Sequence, residues 1–160
     1  MRRLACAGAA LLAALASAPT LADSASIRVP ADAPAAWKNE CSSCHVAYPP
    51  QLLGKSSWHT VMKGLDKHFG SDASMAAADA KAITDFLDRY APPDGGRHDA
   101  ANGRITQTQW FKRKHREIPA SALSSKEVRS AANCQACHSS AEKGVFSEHQ
   151  LTPLGRRFED

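Results

Sequence analysis

Two short stretches carry side chains that could do chemistry together. Cys41-Ser42-Ser43-Cys44-His45 recurs in form as Cys134-Gln135-Ala136-Cys137-His138. Two thiols three residues apart lie on one side of a helical turn, and a histidine one residue further on can turn its ring beneath a flat group held by both sulfurs. This spacing is the attachment signature of c-type haem. Cys41 with Cys44, and Cys134 with Cys137, would add across the vinyl groups, while His45 and His138 bind the irons. Two covalently bound haem c groups are therefore expected. Zinc uses the same residue types, but an exported chain with His directly after each Cys pair argues against it. A disulfide inside each motif would close a small strained ring, better suited to redox catalysis than to structure.

The N-terminus reads as an export signal. Arg2-Arg3 is followed by an Ala/Leu-rich run over residues 4–16 and by Thr20-Leu21-Ala22, a small-residue cleavage site before Asp23. The apolar run is short for a membrane span. Residues 1–22 are expected to be a removed signal peptide, and the mature protein to be periplasmic. Arg2-Arg3 also invites a twin-arginine reading, yet haem is attached after export of an unfolded chain, which favours general secretion. Of five cysteines, Cys6 leaves with the signal, and the other four are the motif thiols.

The formal charge of +4 falls by two once Arg2 and Arg3 are removed, and each ferric haem with ionised propionates adds roughly −1. The holoprotein is then near neutral. Nothing here calls for nucleic acid, and long-range charge steering is not expected to dominate, although a local patch is compatible with these counts. Aromatic residues make up only 6% of the chain, so side chains alone give a thin core. Two haem faces would supply the missing apolar surface, and the apo-chain is expected to fold poorly.

The positioning elements follow from periodicity and breakers. Residues 34–45 read as a short helix carrying the first motif, stopped by Tyr48-Pro49-Pro50. Ser57 is placed as the N-cap of a helix over 58–69 that ends at Gly70, and a second helix runs over 74–90 with Ile83, Phe86, Leu87 and Tyr90 on one face. The Pro-Pro, Gly-Gly and Asn-Gly pairs of residues 92–103 mark a linker. It separates an N-terminal haem lobe, 23–91, from a C-terminal one, 104–160. Thr108 caps a short helix through Trp110, Phe111 and His115, and Ser124-Ser125-Lys126-Glu127 fits a capping box opening a helix into the second motif, closed by Gly144. The tail from Phe146 reads as loop. The fold class is mostly α: a small c-type cytochrome with two haem-centred helical lobes.

The second axial position sets potential and reactivity. Five further histidines are available: His59, His68, His98, His115 and His149. On the helix read over 58–69, Trp58, Val61, Met62, Leu65 and Phe69 share a face; His68 lies at its edge and His59 points away. His68 is favoured for the first haem, with Met62 and His59 as rivals. In the second half Phe111, His115 and Ile118 fall on one face, which favours His115, with His149 as competitor. No methionine follows the second motif. His98, in the linker, is read as a surface residue. The basic run Lys112, Arg113, Lys114 and Arg116 is either a solvated face or a set of propionate partners.

Taken together, the first motif, Ser57-Trp58, the His68-Phe69-Gly70 element, Trp110-Phe111 with His115, and the second motif resemble the bacterial dihaem cytochrome c (DHC) family over nearly the whole mature chain. The resemblance implies a mostly helical periplasmic electron carrier with two low-potential, bis-histidine haems whose distal ligands are His68 and His115. It does not fix the redox partners. A membrane cytochrome b as donor and a small periplasmic haem protein as acceptor are expected by analogy, with the carrier itself a monomer. The competing function is a haem enzyme or gas-binding cytochrome with one open or weakly ligated iron. The supply of distal histidines favours the carrier.

Overall fold

Short helices and tight 3-10 turns carry the chain, and among the described residues, 27–159 of this computed structural model, there is no strand, only three isolated bridges. The expected signal peptide and its cleavage site lie outside those residues. The fold is mostly helical, as the sequence predicts, but several element boundaries differ.

Helix α1, Ala35–Cys41, starts directly after Pro34, whose fixed φ of −66° suits the residue before a first turn. It buries Trp37 and stops four residues before His45. The Lys38 carbonyl accepts from both the backbone N–H and the hydroxyl of Ser42, a local bond that competes with the next helical turn. Cys44 and His45 therefore sit in the turn beyond the helix, not on it.

Helix α2, Lys55–Lys63, begins earlier and ends sooner than the periodicity predicts. Gly54, not Ser57, stands at its N-cap. Ser57 is buried inside the helix, where its Oγ accepts from the backbone N–H of Ala100 at 2.9 Å. Gly64 stops the helix, because a residue without Cβ gains little from helical φ/ψ. A 3-10 turn, Leu65–Lys67, follows, then His68 in an extended conformation, Phe69 at φ 49° and Gly70 at φ 103°. His68 thus stands on a reversed chain rather than a helical face.

Helix α3, Ala77–Tyr90, buries Ile83, Phe86 and Leu87, spaced i, i+3, i+4. This stripe packs on Trp37, Leu53 and Trp58 as the core of the first half, with Trp37 and Phe86 ring centroids 5.4 Å apart. Each such side chain contributes about 1.5–3 kcal/mol on burial. The Trp58 indole N–H donates to the Pro50 carbonyl at 2.8 Å, so its one polar atom is satisfied inside that core.

Residues 92–103 are bonded to their neighbours along their length. The Pro92 and His98 carbonyls accept from Lys55 and Gly54, the Arg97 carbonyl accepts from Trp110, and Ala100 is buried with the core. Gly103 adopts φ 69°, and a Cβ there would lie 2.5 Å from Val61 Cγ2. The turn residues read from the sequence are thus present, folded onto α2 and onto the start of α4, Gln109–Lys114.

Thr108 caps α4 as expected, its hydroxyl accepting from Phe111 N–H at 3.0 Å. Helix α5 is one turn, Ala120–Leu123. The expected capping box opens no helix: Ser125 Oγ accepts from Val128 N–H at 3.2 Å, but Arg129 turns to φ 69° and the chain enters the motif as a 3-10 turn, Cys134–Ala136. The sequence 126–133 has no apolar stripe to bury, so nothing repays a longer helix. Gly144, at φ 71°, closes the next 3-10 turn, Ala141–Lys143.

Candidate haem sites

Each Cys-x-x-Cys-His motif meets one further histidine from a distant part of the chain. The His45 and His68 ring centroids lie 6.1 Å apart, and those of His138 and His115 lie 6.2 Å apart. The rings are inclined at 32° in the first pair and 88° in the second. Two metal–imidazole bonds of about 2.0 Å laid end to end, with half a ring on either side, span about 6 Å. Both gaps have that size.

The tautomers leave the right lone pairs. His45 Nδ1 lies 2.7 Å from the Val46 carbonyl oxygen, and His115 Nδ1 lies 3.0 Å from the Phe111 carbonyl. A carbonyl can only accept, so in each neutral ring the proton belongs on Nδ1 and Nε2 keeps its lone pair for a metal. His138 Nδ1 is buried and has no hydrogen-bond partner. Burial holds His138 down to about 4, with the nearby His115 pushing the same way; burial also lowers His115, and burial, His45 and Arg104 lower His68. At neutral pH these three rings are uncharged, the form that ligates iron.

The thiols carry no disulfide: Cys41, Cys44, Cys134 and Cys137 are all free. Burial pushes Cys41 and Cys134 up to about 11 and raises Cys137 as well. Such thiols are almost wholly protonated at neutral pH and poor nucleophiles in the folded chain. Among the described residues no three His, Cys, Asp or Glu side chains converge as a cage for a metal ion; the histidines converge in pairs. The residues present therefore fit two haem groups, each with two thiols and two imidazoles available to hold it.

The rivals lie elsewhere. His59 Nε2 pairs with Asp88 Oδ1 at 2.9 Å on the α2–α3 surface, Met62 packs against the core cluster, and His149 is exposed in the tail. His98 is not a surface residue as expected; it is half-buried and stacks on Trp110 with centroids 5.4 Å apart.

Sequence reasoning missed several supporting residues. Tyr48 stacks on His45, centroids 4.6 Å apart and planes within 20°, and Phe146 meets the His138 ring edge-on at 5.6 Å. An aromatic three residues past the first motif was the available signal for Tyr48; no spacing rule points to Phe146. The tail is a strap over the second motif. Thr152 donates its N–H to the Cys137 carbonyl at 2.8 Å and its hydroxyl to the Ala136 carbonyl at 2.7 Å, and Gln150 accepts from Ser139 N–H. Gly155 passes so close that a Cβ would lie 2.6 Å from the Cys137 carbonyl oxygen.

Fold and site together define a small c-type cytochrome with two haem attachment sites. The sequence pattern of the family described as dihaem cytochrome c (DHC) matches residues 37–146. The chain belongs to that family, and its cofactors are two haem c groups. Among solved structures, a dihaem cytochrome c from Shewanella baltica is 35% identical over 76% of this chain and 93% of its own, with a TM-score of 0.64. A dihaem cytochrome c from Rhodobacter sphaeroides is 39% identical over 74% of this chain and 99% of its own, also with a TM-score of 0.64. No curated protein gives a significant match. Haem-based electron transfer follows from the family.

Proposed function

We propose that this chain is a periplasmic electron carrier in which His45 and His68 hold one iron, and His138 and His115 the other. The observation that carries this reading is the meeting of each motif histidine with one distant histidine, across gaps of 6.1 and 6.2 Å. When bound, haem supplies reversible one-electron chemistry between ferric and ferrous iron. These four histidines would hold the two irons in pairs and leave no metal position for a substrate, and the fold keeps the His68, His115 and His138 imidazoles neutral. Two imidazoles, rather than imidazole and Met62, favour low potentials. A membrane cytochrome b as donor and a small periplasmic haem protein as acceptor are the partners this reading supplies.

The test is the visible spectrum of the dithionite-reduced protein before and after carbon monoxide. Sharp low-spin bands that stay in place support two closed irons. A large Soret shift overturns the closed-site reading and makes a ligand-binding or catalytic role the better one. His68→Ala and His115→Ala should each open one haem to carbon monoxide, whereas His59→Ala should not. An unchanged spectrum in His68→Ala would move the ligand to His59 or Met62, and in His115→Ala to His149.

A further inference from the structure

The near-neutral total hides a split. Residues 27–103 carry eight Lys/Arg against nine Asp/Glu, a net −1, while residues 104–160 carry ten against six, a net +4. All ten cations of the second half are exposed. A single haem with both propionates ionised, at roughly −1, does not cancel such an excess. The positive half is also the half that holds His115 and His138.

The excess is densest beside His115. Lys112, Arg113 and Lys114 form the last turn of α4, and Arg116 follows; all four side chains face solvent, while the His115 ring turns inward to stack on Phe111 at 4.0 Å. One acid, Glu117, lies in this stretch, 2.6 Å from Arg116. A helix C-terminus welcomes cations, which accounts for a lysine or two at this end. It does not account for four cations in five residues, and nothing further along the chain dilutes them: residues 118–160 balance, with five Lys/Arg against five Asp/Glu, so the excess of this half is that of the 112–117 stretch together with Arg104.

We propose that the exposed 112–116 stretch is a docking face for an acidic redox protein, with electrons crossing on the His115/His138 side. The inference rests on the electron-carrier reading. A partner with a carboxylate-rich face would be steered to this end of the molecule, because complementary potentials act mainly on the rate of encounter. In each crossing the partner loses one electron and one ferric iron gains it.

The experiment is stopped-flow reduction of the oxidised holoprotein by two one-electron donors: flavodoxin hydroquinone, an acidic protein, and the methyl viologen radical, a small cation. The wild-type rate with flavodoxin should fall as salt rises. A Lys112→Glu/Lys114→Glu variant should lose about tenfold at low ionic strength while its viologen rate stays equal or rises. Lys81→Glu, the same charge change on α3, should alter the flavodoxin rate less than twofold. A double variant that keeps the wild-type flavodoxin rate, or a Lys81→Glu variant that loses as much, overturns the proposal. So does a variant whose midpoint potential moves while its rate does not, since the cations would then serve the haem propionates. A wild-type protein reduced by neither donor would instead overturn the carrier reading itself.

Discussion

The Tyr48 hydroxyl donates to the carbonyl oxygen of Ala132 across 2.7 Å, a hydrogen bond between residues 84 apart in sequence. The Tyr48 ring stacks on His45, and the Ala132 carbonyl also accepts from Cys134 N–H at 3.0 Å. One side chain therefore touches a residue of the first haem motif and the backbone that sets the second. Burial raises the Tyr48 phenol above its usual value, so the hydroxyl stays a donor throughout the physiological range.

Tyr48→Phe removes this bond and keeps the stack. A net intramolecular hydrogen bond is worth about 0.5–1.5 kcal/mol, and the variant should lose that much in denaturant unfolding of the holoprotein. The reduced spectrum should keep its low-spin bands. Stability equal to wild type would mean the link between the two motifs contributes nothing.

Gly155→Ala places a methyl 2.6 Å from the Cys137 carbonyl oxygen, against backbone that cannot swing aside. Overpacking of this kind costs about 1–3 kcal/mol, and the tail should peel from the second motif first. Faster proteolysis within residues 147–159, with the first half unaffected, is the expected readout. A variant as protease-resistant as wild type would refute the strap.

Arg104 holds its guanidinium 4.2 Å from the Phe69 ring centroid, next to His68. A cation near an iron favours the less positive, ferrous state, so Arg104→Gln should lower one of the two midpoint potentials and leave the other in place. Because Arg104 is exposed, the shift should stay below the 59 mV that marks a tenfold change for one electron. A rise, or equal shifts at both haems, would refute the assignment.

Acid should weaken the fold in a defined window. An unfolded histidine takes up its proton near pH 6.5, whereas burial makes His138 refuse it down to about 4 and lowers His68 and His115 too. Between those values the unfolded chain binds more protons, so stability falls as pH falls, by up to about 1.4 kcal/mol per pH unit per histidine. Iron ligation acts in the same sense, since protons compete for the imidazoles. Denaturant midpoints measured from pH 8 to 4 should be flat above about 7 and decline below. A midpoint that rose on acidification from pH 7 to 5 would contradict this sign.

Much of the chemistry is readable from residue order because c-type attachment is local. Two thiols and a histidine within five residues need only one turn of chain, so Cys41 to His45 and Cys134 to His138 identify themselves. The α3 stripe and the Thr108 cap are legible for the same reason, since each is settled within four residues. The helix over 58–69 was not. Gly64 broke it, so His68 lies near His45 from an extended residue beyond a 3-10 turn and not from a helical face.

The sequence by itself determined the cofactor class, the number of haems and the helical character, because these rest on short-range spacing. Only the tertiary structure decided which histidines face which. It also decided that Tyr48 joins the two motifs, that Thr152 and Gly155 strap the second, and that the 112–116 cations face solvent while His115 turns inward onto Phe111. Those relations depend on loop closures of tens of residues, whose cost grows slowly with length and leaves no periodic mark on the chain. They are chosen by packing and hydrogen-bond satisfaction across the whole molecule.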